Sequence, residues 1–189
     1  MSKRETILEA ARTLFLRDGF AGTSMDAVTA LAGVSKATVY AHFKSKDELF
    51  ASLVQETARP IFDGFPPLEP GGDPAGQLRR YLAAVRAVAF TEGRLWERLA
   101  IAEAGRHPAI GRLLHEMGET RVKGAVAGYL EAIGCPEPAL AAATLLDVAL
   151  IGPLHRSLMG VDEPAFADRG AGLGPLVRAV LRAHPPRAG

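Results

Sequence analysis

The chain has 189 residues, 48% of them hydrophobic and 23% charged, and its formal net charge is +1. This length can bury one large core or two small ones, and we expect two. The single cysteine, Cys135, excludes an internal disulfide framework, fits a reducing cytoplasm and is read as a small apolar filler. No signal peptide is visible, and no apolar run reaches the length of a membrane span.

The first predicted element is an amphipathic helix from about Arg4 to Arg17, which Asp18 and Gly19 end. Phe20 is expected to pack back under the next segment, so that this helix braces it. Lys3 and Arg4 either contact phosphate as a basic arm or form a solvated terminus. The apolar side of the helix holds five residues, Ile7, Leu8, Ala11, Leu14 and Phe15.

Three short helices are predicted between Thr23 and Phe50. Thr23 is the expected N-cap of the first, with Asp26 as the acidic partner of a capping box. Gly33 permits a sharp left-handed reversal, and Ser35 can cap the next helix. A helix, a tight glycine turn and a second helix make a helix-turn-helix.

The second of these helices, Lys36–His42, is predicted to turn Val39 and Phe43 inward. Its expected outward residues carry groups that suit a DNA groove, because lysine, hydroxyl and methyl groups can contact phosphates or base edges. They are Lys36, Ala37, Thr38, Tyr40 and His42.

The third helix is predicted to open with a capping box formed by Ser45 and Glu48. The sequence from Ala27 to Lys46 contains three lysines, one histidine and no acidic residue. A phosphate-binding surface needs only a few cations together with helix N-termini, so this local charge suits nucleic acid although the whole chain is nearly neutral.

The segment from about Arg4 to Phe50, and GVSKATVYAHFKSKDELF within it above all, resembles the DNA-binding domain of the TetR family of bacterial transcriptional regulators. The resemblance implies two sets of contacts. Base edges would be contacted by Lys36, Ala37 and Thr38, and phosphates by Thr23, Ser24, Ser35, Tyr40, His42 and Lys46. The alternative is a three-helix packing module with a merely solvated polar face.

The third helix is expected to end at Pro60, and the proline- and glycine-rich residues 64–76 are the strongest linker signal. We therefore place a DNA-binding domain with its connecting helix at 1–63 and a ligand-binding and dimerisation domain at 64–189. Predicted helices in the second part cover about 75–91, 95–105, 108–133 and 137–160. The last of these is too short and too interrupted by Gly152 and Pro153 for a bilayer, which favours burial against protein.

A loop at 161–174 precedes a last predicted helix, Pro175–Ala183. Its alternating Gly170, Gly172 and Gly174 follow no strand, so a flexible loop is favoured over a phosphate cradle. Glu103 and His107 stand four residues apart, but Gly105 and Pro108 make a helical metal site improbable, and no catalytic constellation, metal site or cofactor is predicted.

Residues 94–160 resemble, more loosely, the C-terminal region of a TetR subgroup. An effector pocket is a hypothesis, and core packing is the competing role for each of its candidate residues. These are Trp96, Leu99, Met117, Tyr129, His155 and Met159.

The expected fold is all-α, with an N-terminal three-helix helix-turn-helix domain and a C-terminal helical bundle for ligand binding and dimerisation. The resemblance implies a cytoplasmic, homodimeric, non-enzymatic regulator, most often a repressor, that a small apolar effector of unknown identity releases from a palindromic DNA operator. The alternative is a small-molecule-binding or oligomeric interaction protein that has lost operator recognition.

Overall fold

The computed structural model describes residues 2–161 and 172–186, and every regular element in that part of the chain is helical. This confirms the all-α prediction. Three helical turns of the wider π type, Ala89–Gly93, Glu116–Thr120 and Asp147–Ile151, directly precede α6, α8 and α10. The helices are α1 Lys3–Gly22, α2 Met25–Ala32, α3 Lys36–His42, α4 Lys46–Asp63, α5 Pro74–Val88, α6 Arg94–Ala104, α7 Pro108–His115, α8 Arg121–Ala132, α9 Pro138–Leu146, α10 Gly152–Leu158 and α11 Leu173–Ala183.

The chain divides into two compact units. The first, which we call the head unit, joins Met1–Phe62 to Leu95–Met117, and the second, the body unit, joins Asp63–Arg94 to Gly118–Gly189. Helices α6 and α7 therefore fold with α1–α4 although they follow them by more than thirty residues in the sequence.

Aromatic rings form the centre of the head unit. Phe15 and Phe20 stack with ring centroids 5.7 Å apart, and Phe50 packs edge-on against them at 5.0 and 5.4 Å. Edge-to-face and stacked pairs add to the free energy gained by apolar burial, because each ring presents its positive edge to a negative face. The predicted packing of Phe20 beneath the helix-turn-helix is confirmed, since only 2% of its surface is exposed.

Helices α6 and α7 supply the remaining side of this core. Leu99 and Ile110 are buried in it, and Trp96 approaches Phe50 with ring centroids 6.2 Å apart. A domain made of α1–α4 alone would bury a smaller fraction of its surface, and α6 and α7 raise that fraction. The core of the head unit is thus built from two distant parts of the sequence.

Two predicted helix boundaries are wrong. The N-cap of α2 is Ser24, whose hydroxyl accepts from the Ala27 amide at 3.1 Å, and Thr23 instead ends α1. No capping box joins Thr23 to Asp26, because that cap would require α2 to begin one residue earlier. Helix α4 passes through Pro60 and ends at Asp63. Proline removes one backbone donor, and the last turn here continues without it.

The body unit contains α5, α8, α9, α10 and α11, with α8 against α9 and α5 against α11. The predicted linker before α5 is fixed to that helix by hydrogen bonds. The Gln77 side chain on α5 accepts from the Glu69 amide at 2.9 Å and donates to the carbonyls of Glu69 and Gly71 at 2.9 and 2.7 Å. Residues 64–73 therefore lack helix but are anchored to α5.

Helix α8 ends as the sequence predicts, at a glycine. Gly134 has φ of 77°, its amide bonds the Glu131 carbonyl at 2.9 Å, and the Cys135 amide bonds the Leu130 carbonyl at 2.9 Å. This paired arrangement satisfies carbonyls that a helix end otherwise leaves unpaired. Cys135 is buried with a free thiol, as expected of an apolar filler.

Helices α9 and α10 and the π turn between them make one 21-residue helix, Pro138–Leu158, with Gly152 and Pro153 inside it. The predicted single helix over about 137–160 is confirmed, but the prediction that Gly152 and Pro153 make it too short and too interrupted for a bilayer is wrong, because the helix continues through both residues. By length and composition the helix could cross a membrane, a test that the core helices of soluble proteins also pass. One face, including Ala142 and Leu145, is fully buried in the body unit.

The loop predicted at 161–174 falls largely on residues 162–171, which lie outside the described residues. Its Gly170 is among them. Gly172 has φ of 74° and precedes α11, which starts two residues before the predicted position.

Candidate nucleic-acid interface

The turn between α2 and α3 has the geometry that its glycine and serine predict. Gly33 takes the left-handed conformation, with φ 63° and ψ 29°, which side chains with a Cβ disfavour. Two residues later Ser35 caps α3, and its hydroxyl accepts from the Thr38 amide at 3.1 Å. The same hydroxyl lies 2.8 Å from that of Thr38. The start of α3 is thereby fixed by contacts within the motif.

Helix α3 has the buried and exposed sides expected from its spacing. Val39 and Phe43 are buried, with 0% and 1% of their surface exposed, whereas 42% of the Tyr40 surface is exposed. Lys36, Ala37 and His42 are exposed as well, and Thr38 is half-buried. A short helix whose polar side faces solvent can enter a major groove.

Serines cap α2, α3 and α4. Besides Ser24 and Ser35, Ser45 accepts from the Glu48 amide at 3.1 Å at the start of α4. The Glu48 carboxylate turns back to the Lys44 amide at 2.9 Å, one residue before the partner that a capping box requires. Helix N-termini carry unpaired N–H groups and a partial positive charge, which makes them suited to phosphate.

Lys36, a predicted base-edge residue, pairs with Asp26 of α2 at 2.7 Å. Its ammonium also lies 6.0 Å from the centre of the Tyr40 ring. The hydrogen bond and charge of Asp26 raise the pKa of the exposed Lys36 ammonium. The acid-free stretch that begins at Ala27 thus has a carboxylate immediately before it that neutralises one of its three lysines.

Two of the predicted phosphate contacts point into the protein. Thr23 is 2% exposed, and its hydroxyl donates to the Gly19 carbonyl at 2.8 Å. The Lys46 ammonium donates to the carbonyls of Phe20 and Thr23 at 2.8 and 2.9 Å and lies 4.4 Å from the centre of the Phe20 ring. An ammonium has three donors, so one of those on Lys46 remains for phosphate. No residue spacing in the sequence indicated these inward contacts.

Arg4 also has partners within the head unit. It pairs with Glu56 on α4 and stands over the Phe43 ring with its guanidinium carbon 5.1 Å from the ring centre. Of the two interpretations of this residue, the phosphate arm and the solvated terminus, neither describes a side chain that joins α1 to α4 and to the end of α3.

The six pocket candidates fall in both units. Leu99 is part of the core of the head unit, and Trp96 and Met117 pack against that core. In the body unit Tyr129 is buried, whereas His155 is exposed and 69% of the Met159 surface is exposed. Core packing is therefore the role with direct contacts for the first three residues.

Glu103 and His107 take up positions in the head unit. Glu103 is 5% exposed and accepts from the Ala21 amide at 3.2 Å, and the His107 ring packs edge-on against Phe20 at 5.1 Å. Within residues 2–161 and 172–186 there is no group of three or more metal-binding side chains.

Comparison with known proteins identifies the motif. Residues 7–53 match the family described as bacterial regulatory proteins, tetR family. Two curated relatives are the uncharacterized HTH-type transcriptional regulator YhgD of Bacillus subtilis, 43% identical over 53 residues, and the HTH-type transcriptional regulator AcrR of Shigella flexneri, 33% identical over 98 residues. These alignments span 28% and 48% of this chain, and 28% and 43% of the relatives' own lengths.

Solved structures match over much more of the chain. A protein described as a TetR-family transcriptional regulator from Mesorhizobium loti superposes with a TM-score of 0.81 at 29% identity, over 96% of both chains. The flavonoid-responsive regulator FrrA superposes with a TM-score of 0.83 at 29% identity, over 98% of both chains. The chain thus carries the N-terminal helix-turn-helix domain of the TetR family, and over nearly its full length it has the fold of TetR-family transcriptional regulators.

Proposed function

We propose that this protein is a sequence-specific DNA-binding transcriptional regulator, and that it represses transcription until a small apolar effector releases it from a palindromic operator. The observation that carries the proposal is α3, whose start is fixed by Ser35 and whose polar side is exposed. In this proposal Lys36, Ala37 and Thr38 contact base edges in the major groove.

Phosphate contacts come from the ends of the same helices. Ser24, Ser35, Tyr40 and His42 are exposed and lie at or near helix termini, where hydroxyl, ring and N–H groups can bind phosphate oxygens. We propose that Lys46 adds its remaining donor while its other two hold the turn after α1. Thr23 then contributes indirectly, through the position of that turn.

The proposed active form is a homodimer. Leu140 and Val148, eight residues apart on the helix Pro138–Leu158, are each 54% exposed in the body unit, and large exposed apolar side chains on one helix suit a second copy. The α3 helices of the two copies would then bind half-sites about 34 to 36 Å apart, or a multiple of that distance. A palindromic operator follows from that symmetry.

We propose an aromatic effector for the body unit. FrrA, a solved relative with 29% identity, is named for its response to flavonoids. The interior of the body unit here combines apolar side chains with a few polar groups, as ligand sites do. Among these are the buried Tyr129 hydroxyl and the buried Arg86 guanidinium, whose central carbon lies 5.8 Å from the centre of the Phe90 ring. An effector acts only through its different affinities for DNA-bound and free conformations.

The first experiment selects bound duplexes from a random DNA pool with the purified protein at about 150 mM salt, where nonspecific attraction to phosphate is screened. We expect enrichment of an inverted repeat. A folded, dimeric protein that enriches no sequence would contradict the proposal and favour a ligand-binding or interaction protein that has lost operator recognition.

A second experiment tests the effector. Flavonoids and matched aliphatic compounds of similar size are added to the protein bound to its selected duplex, and release is followed by fluorescence anisotropy. We expect aromatic compounds to release the duplex. Release by neither class at solubility-limited concentrations would contradict an aromatic effector without affecting the DNA-binding proposal.

A further inference from the structure

The last turns of α1 are irregular where the chain approaches α2. Gly19 has φ 77° and ψ 173° within α1, so the helix bends there before it reaches Gly22. This segment, Gly19–Ser24, which we call the elbow, sets the direction in which the chain enters α2. Because α2 packs against α3, the elbow influences the position of the DNA-reading helix.

Three side-chain hydrogen bonds from Thr23 and from Lys46 on α4 hold the elbow. The Thr23 hydroxyl bonds the Gly19 carbonyl, and the Lys46 ammonium bonds the carbonyls of Phe20 and Thr23. All of them satisfy carbonyl oxygens. The Ala21 amide instead donates to the Glu103 carboxylate on α6, 82 positions away in the sequence.

Glu103 is closely fitted to this place. Its side chain is buried, and a Cβ on Gly19 would stand 2.8 Å from its Oε1, closer than real Cβ atoms approach other atoms. Its second oxygen, Oε2, is also buried and has no hydrogen-bond partner in the part of the chain that the structure describes. A buried carboxylate that is only half satisfied lowers stability, so its contact with the elbow is not explained by stability alone.

We propose that Glu103 is a positioning residue for DNA recognition: from α6 it fixes the elbow and thereby the presentation of α2 and α3. The inference rests on the proposed DNA-binding function. Ala21 is itself exposed, so water can replace the carboxylate when it is removed and the head unit can still fold. The elbow then loses the only one of these contacts that comes from α6.

The test compares two neutral replacements of similar length, Glu103→Gln, which keeps a side-chain acceptor, and Glu103→Met, which has none. Duplex affinity for the selected sequence and the melting temperature are measured for both in the full-length protein. We expect the Gln variant to bind the duplex within about twofold of the wild type. The Met variant should bind about tenfold more weakly, because it loses one charge-assisted hydrogen bond. We expect the melting temperature of the Met variant to be no lower than that of the Gln variant.

If Glu103 has a merely structural role, the Met variant should lose duplex affinity and melting temperature together, and that result would overturn the inference. Equal duplex affinity for the two variants would overturn it as well. If the Met variant does not fold, Glu103→Ala makes the same comparison with Gln. Failure of the wild type to select any duplex would contradict the proposed function itself, so the two failures are distinguishable.

Discussion

The cores of the two units differ in composition. Among the described residues, the buried phenylalanines all lie in the head unit, where Phe15, Phe20, Phe43 and Phe50 are almost fully buried. The body unit buries mainly leucine, valine and alanine, together with the polar Arg86 and Ser157 and the Tyr129 hydroxyl. Interlocked rings hold few alternative arrangements, which suits a surface that must match a DNA groove. An aliphatic interior with a few polar groups is compatible with the effector site that we propose for the body unit.

The largest effect is expected from breaking the aromatic core. Phe50 is fully buried and contacts Phe15, Phe20 and Trp96. Phe50→Ala should lower the free energy of unfolding by about 3–5 kcal/mol, because it removes a ring and leaves a cavity. Urea denaturation measures the loss. Phe50→Leu is the control and should lose much less, and a loss below about 1 kcal/mol for the alanine variant would contradict the role assigned to these rings.

A smaller effect is expected from altering the surface that this core supports. Thr38→Ala should change discrimination at one base position by about 1–3 kcal/mol, since a base-edge contact specifies one base pair. Repeating the duplex selection with the variant measures it. Thr13→Ala, which removes a hydroxyl bonded to Glu9 on α1, is the matched control. A uniform loss on all sequences would assign Thr38 to phosphate instead of a base.

Replacing Asp26 tests whether its ion pair with Lys36 reduces the affinity of the exposed side of α3 for DNA. Asp26→Asn frees the Lys36 ammonium from its carboxylate partner. We expect nonspecific DNA affinity to rise and the slope of log affinity against log salt to steepen by up to about one unit, because one more cation can displace counterions. Asp147→Asn makes the same charge change at an exposed site in the body unit. Equal slopes for both variants would show that net charge alone is responsible.

The smallest effect is expected in the body unit. Burial raises the pKa of Tyr129, and Asp73 adds to the shift. Because the folded pKa lies above the unfolded one, near 10, the associated stability is complete below about pH 10 and is lost as pH rises through the folded value.

Tyr129→Phe should therefore unfold at a temperature close to that of the wild type at pH 7, or slightly above it, since the lost hydroxyl has no hydrogen-bond partner among the described residues. Above about pH 10 the variant should retain stability that the wild type loses. Thermal melts across this pH range measure the difference. Parallel loss of stability in both proteins would place the titrating group elsewhere.

Local signals in the sequence determined much of this protein. The cap at Ser35, the reversal at Gly33 and the end of α8 at Gly134 follow from residues within four or five positions of one another, and so do the two sides of α3. Such contacts form within one or two turns of chain, and their residue types reveal them. The resemblance of residues 4–50 to the TetR family rested on the same local pattern.

Tertiary structure alone decided which distant residues meet. The sequence predicts that Lys46 and Thr23 face DNA, but Lys46 bonds carbonyls of the elbow and the Thr23 hydroxyl bonds the Gly19 carbonyl within it. Glu103 bonds the Ala21 amide from α6. Helices α6 and α7 add Leu99 and Ile110 to the core of the head unit, a long-range contact that local residue spacing does not reveal. A side chain with several donors can satisfy a nearby carbonyl or a phosphate equally well, and only the folded arrangement of the chain determines which partner lies within reach.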